Sequence, residues 1–298
     1  MRALVIIGPT AVGKTALGVA LAQRLGGEVV SADSRQVYRG LDLGTGKVTK
    51  SEMDGIPHHL IDVTEPQNQY TVHEYVTEAR KVMLGISARG KLPIVVGGTG
   101  LYVDALLGRI PLDAPPGDQE LRNELESLDL NALQKKLLET DPERYAKTDI
   151  QNPRRVIRAI EVALAKHPAT LLPKQDFDLV WIGLTAERES LKKRIHERLA
   201  SRLSTGMLDE ARALHEAGLS YERMESLGLE YRYMARHLTG ALSYEEMVAQ
   251  LESEIYKYAK RQMTWFKRNK DIQWFDADSP TTQVEKVKEI LYSFISRR

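Results

Sequence analysis

Cysteine is absent from these 298 residues. That excludes disulfides, a thiolate nucleophile and any zinc site built on cysteine. No apolar run approaches the roughly 18 residues that a bilayer span requires. Arg2 leads at once into a strand-like segment, leaving no room for a secretory leader. The expectation is a cytoplasmic chain with no membrane partner. Glu-x-x-His and His-x-x-x-His spacings suited to zinc are missing. So is an Asp-Asp-x-x-Asp cluster, which removes the acidic route to a metal-bound diphosphate. The net charge of +1 carries no message about nucleic acid, so the distribution of charge matters more than its sum. Basic residues without acids fill Lys257–Lys270 and Gln151–Arg158, and Lys192, Lys193, Arg194, Arg198 and Arg202 form a third group diluted by glutamates. Each of these also fits a solvated helix face.

What is present begins with Gly8-Pro9-Thr10-Ala11-Val12-Gly13-Lys14-Thr15. This string satisfies the phosphate-loop pattern G-x-x-x-x-G-K-[ST] in full. An apolar run, Ala3–Ile7, precedes it and reads as a buried parallel strand. Leucines at 17, 21 and 25 follow with helical spacing. Strand, loop and helix is the context in which backbone N–H groups and a helix N-terminus converge on phosphate oxygens. There Lys14 would reach an outer phosphate and Thr15 would hold Mg²⁺. The loop does not specify which phosphate compound it takes.

Strands and helices alternate along the first hundred residues. Further strands are expected at 28–32, 59–63 and 94–96, and helices at 72–89 and from 101. This predicts an α/β fold, a parallel sheet flanked by helices, with ligands at the carboxyl ends of the strands. Prolines 111, 115 and 116 with Gly117 mark a hinge. The leucine-rich periodicity from 119 to 165 reads as helix only. A strand returns at 179–184, helices follow at 187–203, 206–217, 224–238 and 244–268, then an extended run at 271–276 and a last helix at 280–297. The expected division is a core of 1–112 with 177–298, and a helical insertion of 113–176.

Asp33 closes the second strand and opens the polar string Ser34-Arg35-Gln36. A carboxylate there can orient a reacting N–H and take its proton, hold Mg²⁺ through water, or simply cap a turn. Gln36 can pair with an adenine edge or stand as a plain surface residue. The turn Gly97-Gly98-Thr99-Gly100 ends the fourth strand, and its glycines permit a ligand or a packed helix to approach the backbone closely. That strand lacks the terminal acid of an ATP-hydrolysing site, which counts against routine hydrolysis. His58 and His59 are adjacent on a strand and face opposite ways, so structural roles are expected. Arg194, Arg198 and Arg202 recur every four residues, as a phosphate clamp or an ion-pair face would. Tyr256, Tyr258, Trp265 and Phe266 interleave with the basic run near the C-terminus, a mix that suits base stacking or an aromatic core stripe.

Taken together, these strings resemble the tRNA dimethylallyltransferases, also called tRNA isopentenyltransferases. The resemblance is carried by Gly8–Thr15, Ser31–Thr45, Pro57–Asp62, Gly97–Tyr102, Asn152–Val162 and Tyr258–Phe266, in that order along the chain. It implies a P-loop NTPase-like core and transfer of a dimethylallyl group from dimethylallyl diphosphate to N6 of the adenosine 3′ of the anticodon, with Mg²⁺. It further implies that Gly8–Thr15 cradle the donor diphosphate, with Thr10 and Lys14 in catalysis and an arginine such as Arg198 or Arg202 helping. Asp33 matches the catalytic carboxylate on the adenine amino group. Ser34, Arg35, Gln36 and Thr99 match contacts near the target base, and Gln151, Asn152, Pro153, Arg154 and Arg155 match contacts of the insertion with the anticodon stem-loop. A monomer is expected. Ser226–Arg232 departs from a Gly-Tyr-[Lys/Arg]-Glu string common in the family, and the zinc finger of some eukaryotic members is absent. Two other readings share the P-loop: a prenyltransferase acting on free AMP or ATP, and a small-molecule kinase.

Overall fold

The computed structural model describes residues 1–112, 118–165, 175–278 and 287. The strands are β1 (Arg2–Ile7), β2 (Gly27–Ala32), β3 (His58–His59), β4 (Leu92–Gly97), β5 (Asp178–Thr185) and β6 (Gln273–Asp276). All pair in parallel, in the order β3-β2-β4-β1-β5-β6. Central β1 is buried from Ala3 to Ile7, as a strand covered on both faces by crossover helices must be. The fold is α/β, a P-loop NTPase-like parallel sheet flanked by helices.

In chain order the helices are α1 (Lys14–Leu25), α2 (Lys50–Met53), α3 (Val72–Ala88), α4 (Gly100–Leu106), α5 (Gln119–Glu126), α6 (Leu130–Thr140), α7 (Pro142–Lys147), α8 (Pro153–Leu164), α9 (Arg188–Ser204), α10 (Met207–Glu216), α11 (Tyr221–Ser226), α12 (Leu229–Leu238) and α13 (Tyr244–Phe266). Capping boxes start α3 and α13, at Thr71/Glu74 and Ser243/Glu246, satisfying N–H groups that a helix end otherwise leaves open.

The described chain divides into two compact units, Met1–Ile110 with Gln175–Arg298, and Pro111–Lys174. In the first unit one core joins the sheet to α9 through α13, with Leu4, Ile6, Ile182, Leu199, Met207, Met234 and Ile255 as members. The segment 187–238 therefore packs on the sheet. The second unit has its own small core of Leu125, Leu133, Leu137, Val156, Ile157 and Ile160. Arg122 and Arg158 hold the carboxylate of Glu161 there, at 2.7 and 3.0 Å. Glu161 is buried, and removing one partner of such a pair costs about 3–5 kcal/mol.

Three expectations change. The strand expected at 59–63 stops at His59, because Leu60 and Asp62 turn left-handed with φ of 61° and 56°. The helix expected at 224–238 is two, α11 and α12, broken at Gly228 with φ of 137°. The extended run near 271–276 is a sixth sheet strand. The hinge residues Pro115, Pro116 and Gly117 and the helix expected at 280–297 lie outside the described residues, apart from residue 287. Among the described residues no helix is long and apolar enough to cross a membrane.

Candidate active site

A cleft of about 480 Å³ opens where β1, β2 and β4 end, within the range of ordinary ligand sites. Its floor is the loop after β1. Ala11 and Gly13 take positive φ of 64° and 84°, and no side chain caps α1. The N–H groups at the start of α1 therefore remain available to an anion. Val12 turns inward and is buried in the core, which anchors the loop from below. Gly8 closes the loop from the other side: a Cβ there would meet the Leu184 carbonyl oxygen at 2.4 Å.

Lys14 and Arg198 meet above this loop. The Lys14 ammonium donates to the Pro9 carbonyl at 2.6 Å. Arg198 donates to the Thr10 hydroxyl at 3.3 Å and to the Gly46 carbonyl at 3.1 Å. Among the described residues neither cation forms an ion pair. Burial and then the Arg198 charge push the Lys14 amine down to about 7, while Asp33 pulls the other way. Burial, followed by the neighbouring Arg202, also lowers Arg198. Two half-buried cations held over one loop repel one another until an anion settles between them.

Asp33, Ser34, Arg35, Gln36 and Thr99 also line the cleft. The Asp33 Oδ1 accepts N–H groups from Arg35 at 2.8 Å and Gln36 at 3.4 Å. It thus caps its own turn while its carboxylate fronts the cavity. The Ser34 N–H donates to the Thr99 hydroxyl at 3.0 Å, and Thr99 donates to the Ser34 hydroxyl at 3.3 Å. Gln36 spends its amide on the Gly46 carbonyl at 3.2 Å, and Arg35 reaches the Ser226 carbonyl at 3.3 Å.

The three periodic arginines part company. Arg198 lines the cleft. Arg202 lies behind it, bonded to the carbonyls of Leu43 and Gly44 at 3.1 Å each and paired with Glu230 at 3.2 Å. Arg194 points to Asp278 at 2.6 Å. A rigid helix advances 1.5 Å per residue, so residues 194 and 202 are too far apart along α9 to grip one small anion. Arg202 instead holds the loop that presents Thr45 and Gly46 to the cleft. Glu210 holds the same loop, accepting N–H groups from Asp42, Leu43 and Gly44.

The glycines at the end of β4 let the chain itself pack closely, although Gly97 and Gly98 also line the cleft. A Cβ at Gly97 would lie 2.2 Å from the Ala32 carbonyl oxygen, one at Gly98 2.4 Å from Gln262, and one at Gly100 2.3 Å from the Trp265 ring. The C-terminal aromatic run is likewise mostly structural. Phe266 is core, Tyr256 lies against Lys192 and Lys260, and Trp265 donates to Asp104 at 2.7 Å. Tyr258, Arg261 and Gln262 do face the cleft, and burial and Asp33 raise the Tyr258 phenol to about 12. The sequence singled out Tyr258 as a stacking candidate and Arg261 as part of a basic run, but not Gln262. One signal was there: a glutamine standing in the buried stripe of α13.

His59 bonds the buried Glu28 carboxylate at 2.7 Å and His58 the Ile56 carbonyl at 2.9 Å. Among the described residues no group of three acidic, histidine or cysteine side chains could hold a metal. In the second unit, Asn152 caps α8 through the Arg155 N–H and Pro153 begins it. Arg155 pairs with Asp149 at 3.0 Å. Gln151 and Arg154 are exposed.

With this geometry in place, comparison adds the following. A family model described as IPP transferase matches residues 36–269, and one described as isopentenyl transferase matches residues 1–69. The chain is 43% identical over 300 residues to a tRNA dimethylallyltransferase of Geobacillus kaustophilus, covering 97% of this chain and 95% of the relative. It is 47% identical over 274 residues to tRNA dimethylallyltransferase 2 of Treponema denticola, covering 90% and 92%. Among solved structures it is similar to a full-length tRNA isopentenylpyrophosphate transferase from Bacillus halodurans, with TM-score 0.73, 39% identity and coverage of 97% and 95%. It is similar also to a eukaryotic dimethylallyltransferase captured acting on tRNA, with TM-score 0.81, 28% identity and coverage of 100% and 80%.

Proposed function

This chain belongs to the IPP transferase family, and from that membership we infer how its cleft divides the work of prenyl transfer. The chain is an enzyme. It transfers a dimethylallyl group to N6 of the adenosine 3′ of the anticodon in tRNA, and diphosphate leaves.

The donor is dimethylallyl diphosphate, and its two phosphates rest on the N–H groups of Gly13–Thr15 between Lys14 and Arg198. The single observation that carries this placement is the pair of half-buried cations over the loop, neither of which forms an ion pair among the described residues. Positive charge grows on the allylic carbon as the C–O bond breaks, and negative charge grows on the departing diphosphate. Preorganised N–H groups, the Thr10 hydroxyl and the two cations stabilise the latter, and such groups act most strongly where the charge develops.

The adenine enters beside Asp33, between Ser34, Thr99 and Tyr258. Its exocyclic amine is a weak nucleophile because the ring withdraws its lone pair. Asp33 accepts one N–H hydrogen bond, turns the lone pair toward the allylic carbon and takes the proton as the C–N bond forms, worth about 10²–10⁴ in rate. Lifting the base from the anticodon loop costs a few kcal/mol, repaid by contacts in the cleft and by the basic residues of the second unit, Arg154 and Arg155 with Gln151, Asn152 and Pro153.

Mg²⁺ fits the donor set. The hard hydroxyl oxygen of Thr15 suits it, and the lack of a carboxylate cage among the described residues matches an ion held largely by substrate phosphates and water. When bound it would supply charge neutralisation to the leaving group. Since tRNA is the substrate, the reaction belongs in the cytoplasm.

The test offers labelled dimethylallyl diphosphate with an unmodified anticodon stem-loop, AMP and ATP as separate acceptors. Label in the stem-loop alone is expected. Label in AMP or ATP would move the reading to free nucleotides. Transfer of phosphate from ATP instead would move it to a kinase.

A further inference from the structure

α13 buries a continuous stripe of Met247, Leu251, Ile255, Ala259 and Phe266. Gln262 stands in that stripe and is 6% exposed. A primary amide placed there costs about 1–3 kcal/mol unless its groups are paired. Both ends are paired. Its Oε1 accepts the Thr10 N–H at 2.9 Å, and its Nε2 donates to the Gly98 carbonyl at 2.8 Å. The amide orientation is fixed chemically, since a backbone N–H only donates and a carbonyl only accepts.

One side chain therefore ties the loop after β1 to the turn after β4. Its neighbours on the helix serve the same turn. Tyr258, one turn earlier, lines the cleft together with Thr99, and Trp265 lies against Gly100 and donates to Asp104. An apolar side chain of equal volume would fill the same space, so packing alone does not account for an amide. Glycine at 98 is also needed for the amide to come so close.

We propose that Gln262 is a positioning residue that sets the spacing between the diphosphate loop and the turn beside the acceptor base. The proposal rests on the assignment of those two segments given above. Gln262 touches neither reacting atom. It acts by holding the Thr10 amide and Gly98 at a fixed separation, where an error of about 1 Å between reacting groups costs roughly 10²-fold.

Two variants test it. Gln262→Met keeps the volume and neither bond. Gln262→Glu keeps the acceptor for Thr10, loses the donor to Gly98 when ionised, and regains it when protonated. Burial raises the pKa of such a carboxyl, which places the change within the working range. Lys14, Asp33, Arg198 and Arg261 face the same cleft, so each rate is divided by that of the unaltered chain at the same pH.

At about pH 8 both variants are expected to lose about tenfold or more in kcat for the stem-loop RNA, with KM for each substrate moving less than about threefold. Toward about pH 5.5 the Gln262→Glu ratio should recover by about fivefold or more, while the Gln262→Met ratio stays flat. Full kcat in Gln262→Met, a flat Gln262→Glu ratio, or losses that follow Tm alone would overturn the proposal. If Gln262→Glu fails to fold, Gln262→Met decides by its kcat. Failure of the unaltered chain to prenylate the RNA would instead sink the functional assignment, and the proposal with it.

Discussion

Two glycine-rich turns leave adjacent strands at the same edge of the sheet, and their glycines answer to different neighbours. After β1, Gly13 has φ of +84° and no atom within 4 Å of the Cβ it lacks. After β4, the missing Cβ atoms of Gly97, Gly98 and Gly100 would each lie 2.4 Å or less from the chain itself. The first turn keeps its open side for a ligand. At the second, β2 and α13 fill the space those Cβ atoms would take, while Thr99 keeps its place on the cleft. Glycine in a sequence thus reports that something comes close, without saying what.

The comparison breaks hardest if the chemistry does not lie between the two turns. Asp33→Asn keeps the turn-capping oxygen and loses the base, so turnover should fall by about 10²–10⁴ while RNA affinity, read by filter binding, stays within about threefold. Near-normal turnover would remove Asp33 from the reaction.

A smaller effect separates the glycines themselves. Gly100→Ala forces a methyl into Trp265, an overpacking that typically costs about 1–3 kcal/mol, or several degrees of Tm. Gly13→Ala pays only for its positive φ, roughly 1–2 kcal/mol, yet should weaken diphosphate binding more than Gly100→Ala does. Thermal melts with and without diphosphate read both, and the reverse ranking would dissolve the distinction.

The smallest effect is electrostatic. With its amine near 7 in the free chain, Lys14 is mostly neutral above that pH. Diphosphate should return its charge, so binding at about pH 8 takes up close to one proton and binding at about pH 6 takes up little. Calorimetry in buffers of different ionisation enthalpy measures this, and equal uptake at both pH values would contradict it. The same depression fixes a stability trend. Between about 7 and the ordinary lysine value of 10.5 the unfolded chain holds the proton and the folded chain does not, so ligand-free stability rises with pH across that window. Lys14→Met should flatten the rise.

The parts legible in the sequence were those set by local chemistry. The loop after β1 announced itself by residue type, and Asp33 by its place after an apolar run. The helical second unit showed in its leucine spacing. Hidden parts depended on partners distant in the chain. Leucine at 60 and aspartate at 62 give no local warning of left-handed turns, and 59–63 therefore read as a strand. The spacing of Arg194, Arg198 and Arg202 was visible, but only the packing of α9 against the loop 42–46 and Asp278 assigns them three different tasks. Gln262 looked like one more polar residue in a basic run, since the groups that pair its amide, on Thr10 and Gly98, lie 252 and 164 residues away in sequence.

The central claim is that a diphosphate on the loop after β1 and an adenosine beside Asp33 face each other across one cleft. A crystal structure with an unreactive thio-linked donor analogue, Mg²⁺ and the anticodon stem-loop tests this most directly. The account predicts phosphate oxygens on the N–H groups of Gly13–Thr15 and between Lys14 and Arg198, with adenine N6 about 3 Å from the Asp33 carboxylate. An adenine bound outside the cleft, or a diphosphate seated away from that loop, would contradict it.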